Sequence, residues 1–285
     1  MSLSVFSQQH FPRQIPPGDY SGICAIGDGC FAVVDDKAVE DGFYLFRLDI
    51  DTVAGCIRAA ENLGYRSSGS GNRDMEGICY RPSSRTLFIS GEADNEVYEY
   101  TLEGQRTGQR LAMPDAFKKA RRNFGLEALA YDTLSRRFFT TTERPLPGDQ
   151  LLRIQSFADD LLPQRQYLYK PDGPISPKHY HGVAAIAAKG DGHLLVLERQ
   201  VRIPKLKLDA QTVIRIYEVL PGEEEWLEKR LVKEIRTRLT LTSRKFANYE
   251  GLCCLPGDRL LLIADSQHQY QGMLHDWFLL TTPSK

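Results

Sequence analysis

Two sets of acidic residues recur at matched places along the chain. One set opens a short apolar segment: Glu76, Glu127 and Glu250, with Ser21 and His181 in the equivalent places of two further segments. The second set closes the next apolar segment: Glu92, Glu143, Glu198 and Asp265, with Asp35 or Asp36 in the first. If these segments surround a common axis, about eight carboxylates converge on one mouth of a channel. Two unit charges 4 Å apart repel by about 1 kcal/mol in water and about 4 kcal/mol at an effective dielectric of 20. Such a ring needs cations, or some of its acids must stay protonated. Oxygen ligands without clustered Cys or His favour Ca²⁺, or another hard divalent ion, over zinc. On this reading Glu76, Glu92, Glu127, Glu143, Glu198, Glu250 and Asp265 are the candidate metal ligands. Arg144 and Arg199, each following an acid, would bind a substrate anion, and His181 is a candidate base. The structural alternative is that the arginines, with Arg73 near Glu76, form ion pairs between repeats and no metal is present. His179 and His181, two apart, would face the same way along a strand as ligand or base, although a satisfied loop histidine is the commoner role for either.

The elements that carry these residues share one template. SGICAIGDGCFAVVDD from Ser21, EGICYRPSSRTLFISGE from Glu76, EALAYDTLSRRFFTTTE from Glu127, HGVAAIAAKGDGHLLVLE from His181 and EGLCCLPGDRLLLIAD from Glu250 align in turn. Their Gly-like positions, Gly22, Gly77, Ala128, Gly182 and Gly251, are 55, 51, 54 and 69 residues apart. Each pair of segments is followed by further short runs rich in β-branched and aromatic residues. Periods near 50 with four short strands describe propeller blades. The expectation is an all-β, single-domain propeller over residues 1–285. Five blades fit best, and six stay open because of the 69-residue step. The last repeat is one strand short, and an N-terminal strand near Val5, pairing with the strand around Trp277, would complete it and remove an open edge. A two-sheet sandwich is the runner-up. Helix signals are confined to Asp115–Arg122, capped by Asp115, and Glu223–Lys229.

The template also accounts for cysteines. Cys24, Cys79 and Cys253 are equivalent, and Ala130 and Ala184 take their place in the other repeats, so they read as small buried hydrophobes. Cys30, Cys56 and Cys254 have no metal-ligand spacing.

Composition narrows the function. The chain has 285 residues, with 36 Lys+Arg against 37 Asp+Glu and a net charge of -1, which lacks the basic footprint of a nucleic-acid binder. No apolar run is long enough for a transmembrane segment. The start, MSLSVFSQQHF, lacks the basic and apolar regions of a signal peptide. There is no GxSxG elbow, P-loop, GxGxxG or HExxH.

DMEGICY, NFGLEALAYD followed by TTERPLPGD, QYLYKPDGP, LLVLERQ and NYEGLCCLPGDRLLLIADS resemble the family called esterase-like activity of phytase, in order and spacing, from about Ser21 to Asp265. The family usually has Gly where this chain has Ala128. The resemblance implies a propeller and hydrolysis of phosphate or carboxylic esters. It also implies that Glu76, Glu127, Glu143, Glu198 and Glu250 occupy the family's recurring acidic positions. Members are generally exported bacterial proteins, which implies a periplasmic or surface location if a signal has been removed, and a cytoplasmic one otherwise. The expected partner is a small ester or phosphate substrate, with the chain acting as a monomer. The alternative function is a non-catalytic ligand- or partner-binding propeller held by ion pairs or a structural metal.

Overall fold

The computed structural model describes residues 7–121, 123–205, 208–242, 245–266 and 274–282. After β1 (Ser7–Gln9), sixteen strands fall into four consecutive meanders. Blade 1 is β2 (Tyr20–Gly27), β3 (Cys30–Asp35), β4 (Glu40–Asp51) and β5 (Cys56–Gly71). Blade 2 is β6 (Met75–Arg81), β7 (Thr86–Gly91), β8 (Glu96–Tyr100) and β9 (Arg106–Arg110). Blade 3 is β10 (Leu126–Asp132), β11 (Arg137–Thr142), β12 (Leu152–Phe157) and β13 (Pro163–Tyr169). Blade 4 is β14 (Tyr180–Ala188), β15 (Leu194–Arg202), β16 (Gln211–Val219) and β17 (Lys229–Arg238). β18 (Asn248–Leu255), β19 (Arg259–Asp265) and β20 (Phe278–Thr281) form blade 5 together with β1.

The first two strands of each blade are apolar on both faces because each blade is covered on both sides by its neighbours. Thus β7, TLFISG, is buried from Leu87 to Gly91, and β19 from Leu260 to Asp265. In blades 1 and 5 the hairpin joining these strands turns on consecutive left-handed residues, Asp28 and Gly29 (φ 51° and 70°) and Gly257 and Asp258 (φ 74° and 56°). That geometry matches the twist of antiparallel strands.

The core is divided by blade interface. One apolar cluster lies between blades 1 and 2, around Val34, Phe43 and Ile78, and one between 2 and 3, around Phe88 and Phe138. Others lie between 3 and 4, around Phe139 and Val196, and between 4 and 5, around Leu197 and Leu262. A fifth, around Phe31, Ile263 and Phe278, joins blade 5 back to blade 1 and closes the ring. The architecture is a five-bladed β-propeller.

Closure uses the N-terminus. β1 pairs antiparallel with β20, with Ser7 opposite Leu280 and Gln9 opposite Phe278; Val5 itself lies outside the described residues. The Gln9 side chain also acts as a strand in miniature. Its Nε2 donates to the Ile57 carbonyl and its Oε1 accepts from the Ile57 N–H, each at 2.7 Å, tying blade 5 to the outer strand of blade 1.

Two expectations change. No helix of more than one turn forms among the described residues. Asp115 does not cap; only Phe117–Lys119 makes a 3₁₀ turn, while Asp115 is spent on Lys118 at 2.8 Å. The segment from Glu223 bends, and Trp226 bridges Leu168 in parallel. Among the described residues the long 69-residue step holds no sixth blade: only β15, β16 and β17 lie between β14 and β18.

Candidate functional site

The inner strands β2, β6, β10, β14 and β18 surround the central channel, and each enters it through a β-bulge. The bulged residue is Ser21 in β2, Glu127 in β10 and Glu250 in β18, and the irregularity of β6 spans Glu76. A bulge adds one residue and re-aims its side chain, here towards the axis. In β14 the bulge falls at Ala184, and Ala185 pairs with Leu197 where Ala128 pairs with Thr141 and Gly251 with Ile263. The fourth repeat is therefore displaced three residues from the alignment by sequence. Ala184, not His181, is the counterpart of Glu127; Ala185, not Gly182, of Ala128; and Ala187, not Ala184, of Cys253.

The same register places Arg199, not Glu198, opposite Glu143 and Asp265 in the second ring. Glu198 faces away from the channel. Its carboxylate accepts from Tyr169 Oη (2.5 Å), Lys229 Nζ (2.6 Å) and the Asp172 N–H (2.8 Å). Gly182 misleads because it is small for a different reason: a Cβ there would stand 2.5 Å from Glu143 Cγ. At Gly22, Gly77 and Gly251 the constraint is blade packing, with a Cβ falling 2.5 to 2.6 Å from Glu76 O, Leu129 N and Ile263 Cγ2 respectively.

Above the bulges the channel opens into a cavity of about 760 Å³. Glu76, Glu92, Glu127, Glu143, Glu250 and Asp265 all line it, as do Asp19 and Asp36; its cations are Lys37, Lys178 and Arg199. Below, on the axis, Ser21, Glu76, Glu127 and Ala184 border a void of about 10 Å³, room for a single water-sized sphere.

The ring divides in two. On the side of blades 3 to 5, Arg199 is buried and gathers three acids: its Nη2 lies 2.9 Å from Glu143 and 3.7 Å from Glu127, and its Nη1 meets Glu250. Those carboxylates hold the guanidinium charged against its burial. Glu143 is also bonded by Tyr180 Oη, and Glu250 accepts from Asn248 Nδ2 at 2.7 Å. On the side of blades 1 and 2 the compensation is thinner. Glu92 accepts from the Gly125 N–H at 3.0 Å. Glu76 is 8% exposed, and its carboxylate has no hydrogen bond or ion pair among the described residues. Arg73 does not serve it, being bound to Asp94 at 2.7 and 2.8 Å.

Burial, then the neighbouring acids, pushes Glu76 and Glu127 well above the usual carboxylate range; burial likewise raises Glu92, and lifts Asp36 to about 6. Carboxylates gathered without enough cations keep their protons. One group that the sequence reading missed entirely is Asp74: carboxylate oxygens of Asp36, Asp74 and Glu76 lie within 4.8 Å of one another.

Arg144 sits at the rim rather than in the wall. Its guanidinium carbon lies 4.6 Å from the ring centre of Phe124 and 4.4 Å from that of Tyr180, beside the two rings, and its Nε donates to the His181 carbonyl at 3.2 Å. Its terminal nitrogens have no protein partner among the described residues. His181 is half-buried outside the cavity wall; burial, then Arg144, lowers the pKa of its ring. His179 precedes the strand and pairs with Ser176 Oγ at 2.8 Å, so the two histidines do not share a strand face.

At the opposite mouth a cavity of about 520 Å³ is lined by Cys24, Cys79, Cys253 and Cys254. The first three are buried as expected, and all six cysteines are free.

Solved structures similar to this chain include the pyrroloquinoline quinone domain of pyranose dehydrogenase from Coprinopsis cinerea (9% identity, 97% of each chain, TM-score 0.47). A streptogramin B lyase (12% identity, 98% of each chain, TM-score 0.46) and a DUF4221 member from Bacteroides vulgatus (7% identity, 98% of each chain, TM-score 0.46) are similar to the same degree. No curated protein matches the sequence. The model of the phytase-like family, described as esterase-like activity of phytase, matches residues 15–267, and the chain belongs to that family.

Proposed function

We propose that the acidic mouth is a hydrolytic site for phosphate or carboxylic esters that works with a hard divalent cation, Ca²⁺ first. The observation that carries this reading is the uneven neutralisation of the ring. Arg199 compensates Glu127, Glu143 and Glu250, whereas Glu76 has no cation against it among the described residues and its proton affinity is raised. All donors there are carboxylate oxygens, which suit a hard cation. Such an ion, when bound, polarises an ester or phosphoryl oxygen and lowers the pKa of water.

The chain's own residues do the rest. Arg144, held against two aromatic rings and with no partner on its terminal nitrogens among the described residues, receives the anionic end of the substrate at the rim. Arg199 fixes Glu127, Glu143 and Glu250 and is too committed to serve as the anion receptor. Glu127, held protonated by burial and its acidic neighbours, donates its proton to the departing ester oxygen. His181 lies outside the wall and is not needed as the base in this reading. The alternative, a binding propeller without catalysis, is favoured by one feature: Arg199 links blades 3, 4 and 5 as a clamp would.

The test is a metal analysis followed by hydrolysis of p-nitrophenyl phosphate and p-nitrophenyl acetate, with and without chelator. Activity lost to chelator, restored by Ca²⁺ and abolished in Glu127→Gln supports the site. A metal-free protein that hydrolyses neither ester, and whose melting temperature ignores Ca²⁺, leaves the binding module.

A further inference from the structure

We infer that Lys37 is a tethered stand-in for a divalent cation, and that the ion binds where Lys37 Nζ now lies, on Asp36, Asp74 and Glu76 at the junction of blades 1 and 2. This rests on the cation in the reading above and not on hydrolysis.

The ammonium of Lys37 lies 2.6 Å from Asp36 and 2.8 Å from Asp74. Three carboxyl groups face one ammonium there, so an entering cation would find more acids than Lys37 can balance once their protons leave. Their oxygens lie within 4.8 Å of one another. Two oxygens on opposite sides of a Ca²⁺ with bonds of about 2.4 Å stand about 4.8 Å apart, so the spread fits one calcium shell without rearranging the backbone. The loops are already fixed. Asn72 Nδ2 donates to the carbonyls of Asp36 (2.8 Å) and Ala38, while its Oδ1 accepts from the Asp74 N–H at 2.5 Å. Asp74 is held in the left-handed region at φ 56°.

Glu76 supplies the independent sign of a missing ligand. It is more than nine-tenths buried, lines the cavity and has no partner among the described residues. Asp36 Oδ1 is also buried and unpartnered. Lys37 reaches Asp36 and Asp74 but satisfies neither of these atoms. Its side chain is 53% exposed, so the ammonium can swing into water as an ion enters, and a flexible four-carbon stem permits that at low cost. The site therefore alternates between a lysine-filled and a cation-filled state, with Lys37 lowering the apparent affinity by the fraction of time it occupies the ligands.

The experiment is calorimetric Ca²⁺ titration of metal-stripped full-length protein, comparing wild type with Lys37→Met, Lys37→Gln and Asp74→Asn. Removing the built-in competitor tightens Ca²⁺ binding about tenfold or more in both Lys37 variants, and Asp74→Asn weakens it by a similar factor. An unchanged or weaker affinity in a folded Lys37 variant overturns the proposal, as does an Asp74→Asn protein that binds like wild type. Tightened binding without ester hydrolysis upholds this site and refutes the hydrolytic reading. Chelator-sensitive hydrolysis with unaltered affinity in the Lys37 variants does the reverse.

Discussion

Arg199 Nη2 lies 2.9 Å from Glu143 Oε1, a contact from β15 of blade 4 to the residue that follows β11 of blade 3. The remaining contacts of the same guanidinium reach Glu127 in blade 3 and Glu250 in blade 5. One side chain thus compensates three carboxylates from two neighbouring blades, in a blade that contributes no acid to either ring.

Removing that cation leaves three carboxylates short of a partner. Arg199→Met should destabilise the protein by about 3–5 kcal/mol, the range for breaking a buried ion pair from one side. At this size that lowers the melting temperature by about 10 °C. Denaturant unfolding of wild type and variant checks it; a loss below about 1 kcal/mol would show that the acids are neutralised by protonation instead.

Asp276 offers a pH-dependent test remote from the ring's arginine. Burial, reinforced by Asp19 and Asp35 and opposed by Ser266 and the Gly18 N–H, raises its pKa to about 7, and its Oδ1 is buried without a partner. In the unfolded chain an aspartate ionises near pH 4. Between about pH 4 and 7 the folded state holds more protons at this position, so its contribution to stability falls as pH rises through that window. Asp276→Asn cannot ionise. Its melting temperature should match wild type near pH 4 and exceed it by a few degrees at pH 8. Equal shifts at both pH values would remove Asp276 as the cause.

Cys24, Cys79 and Cys253 should resist thiol reagents in the native state. All three are buried, and burial raises their pKa, that of Cys253 to about 12. The thiolate fraction at pH 8 is then negligible. Ellman's reagent should modify the half-buried Cys30 and Cys56 first, Cys254 more slowly because burial raises its thiol as well, and the other three only on unfolding. Ready native reaction of all six would contradict the packing.

The strand template, its period and the ring of acids could be read from residue types, because a blade has to be apolar on both faces and to end its hairpins in turn residues. The three-residue slip in the fourth repeat could not. Both HGVAA and EGLCC present a small residue after a polar one, but Gly182 is small to let the Glu143 side chain pass, and Gly251 is small to let the strands of blade 5 pack. Composition does not distinguish those reasons. Every inner strand carries the bulge, and counted from the bulge at Ala184 it is Arg199 that takes the place of Glu143 and Asp265, while Glu198, on the other face of β15, goes to Tyr169 and Lys229.

The sequence by itself determined the class of fold, the closure of the ring by its own N-terminus and the presence of an acidic mouth, since each follows from a pattern repeated along the chain. Only the tertiary structure decided which charges meet. Asp74 belongs to no repeat, yet it faces Asp36 and Glu76 because blades 1 and 2 bring two loops together. Which acids keep Arg199, and which are left to Lys37, depends on contacts between blades. Such contacts are set by how the sheets pack around the axis, and no local pattern of residues encodes them.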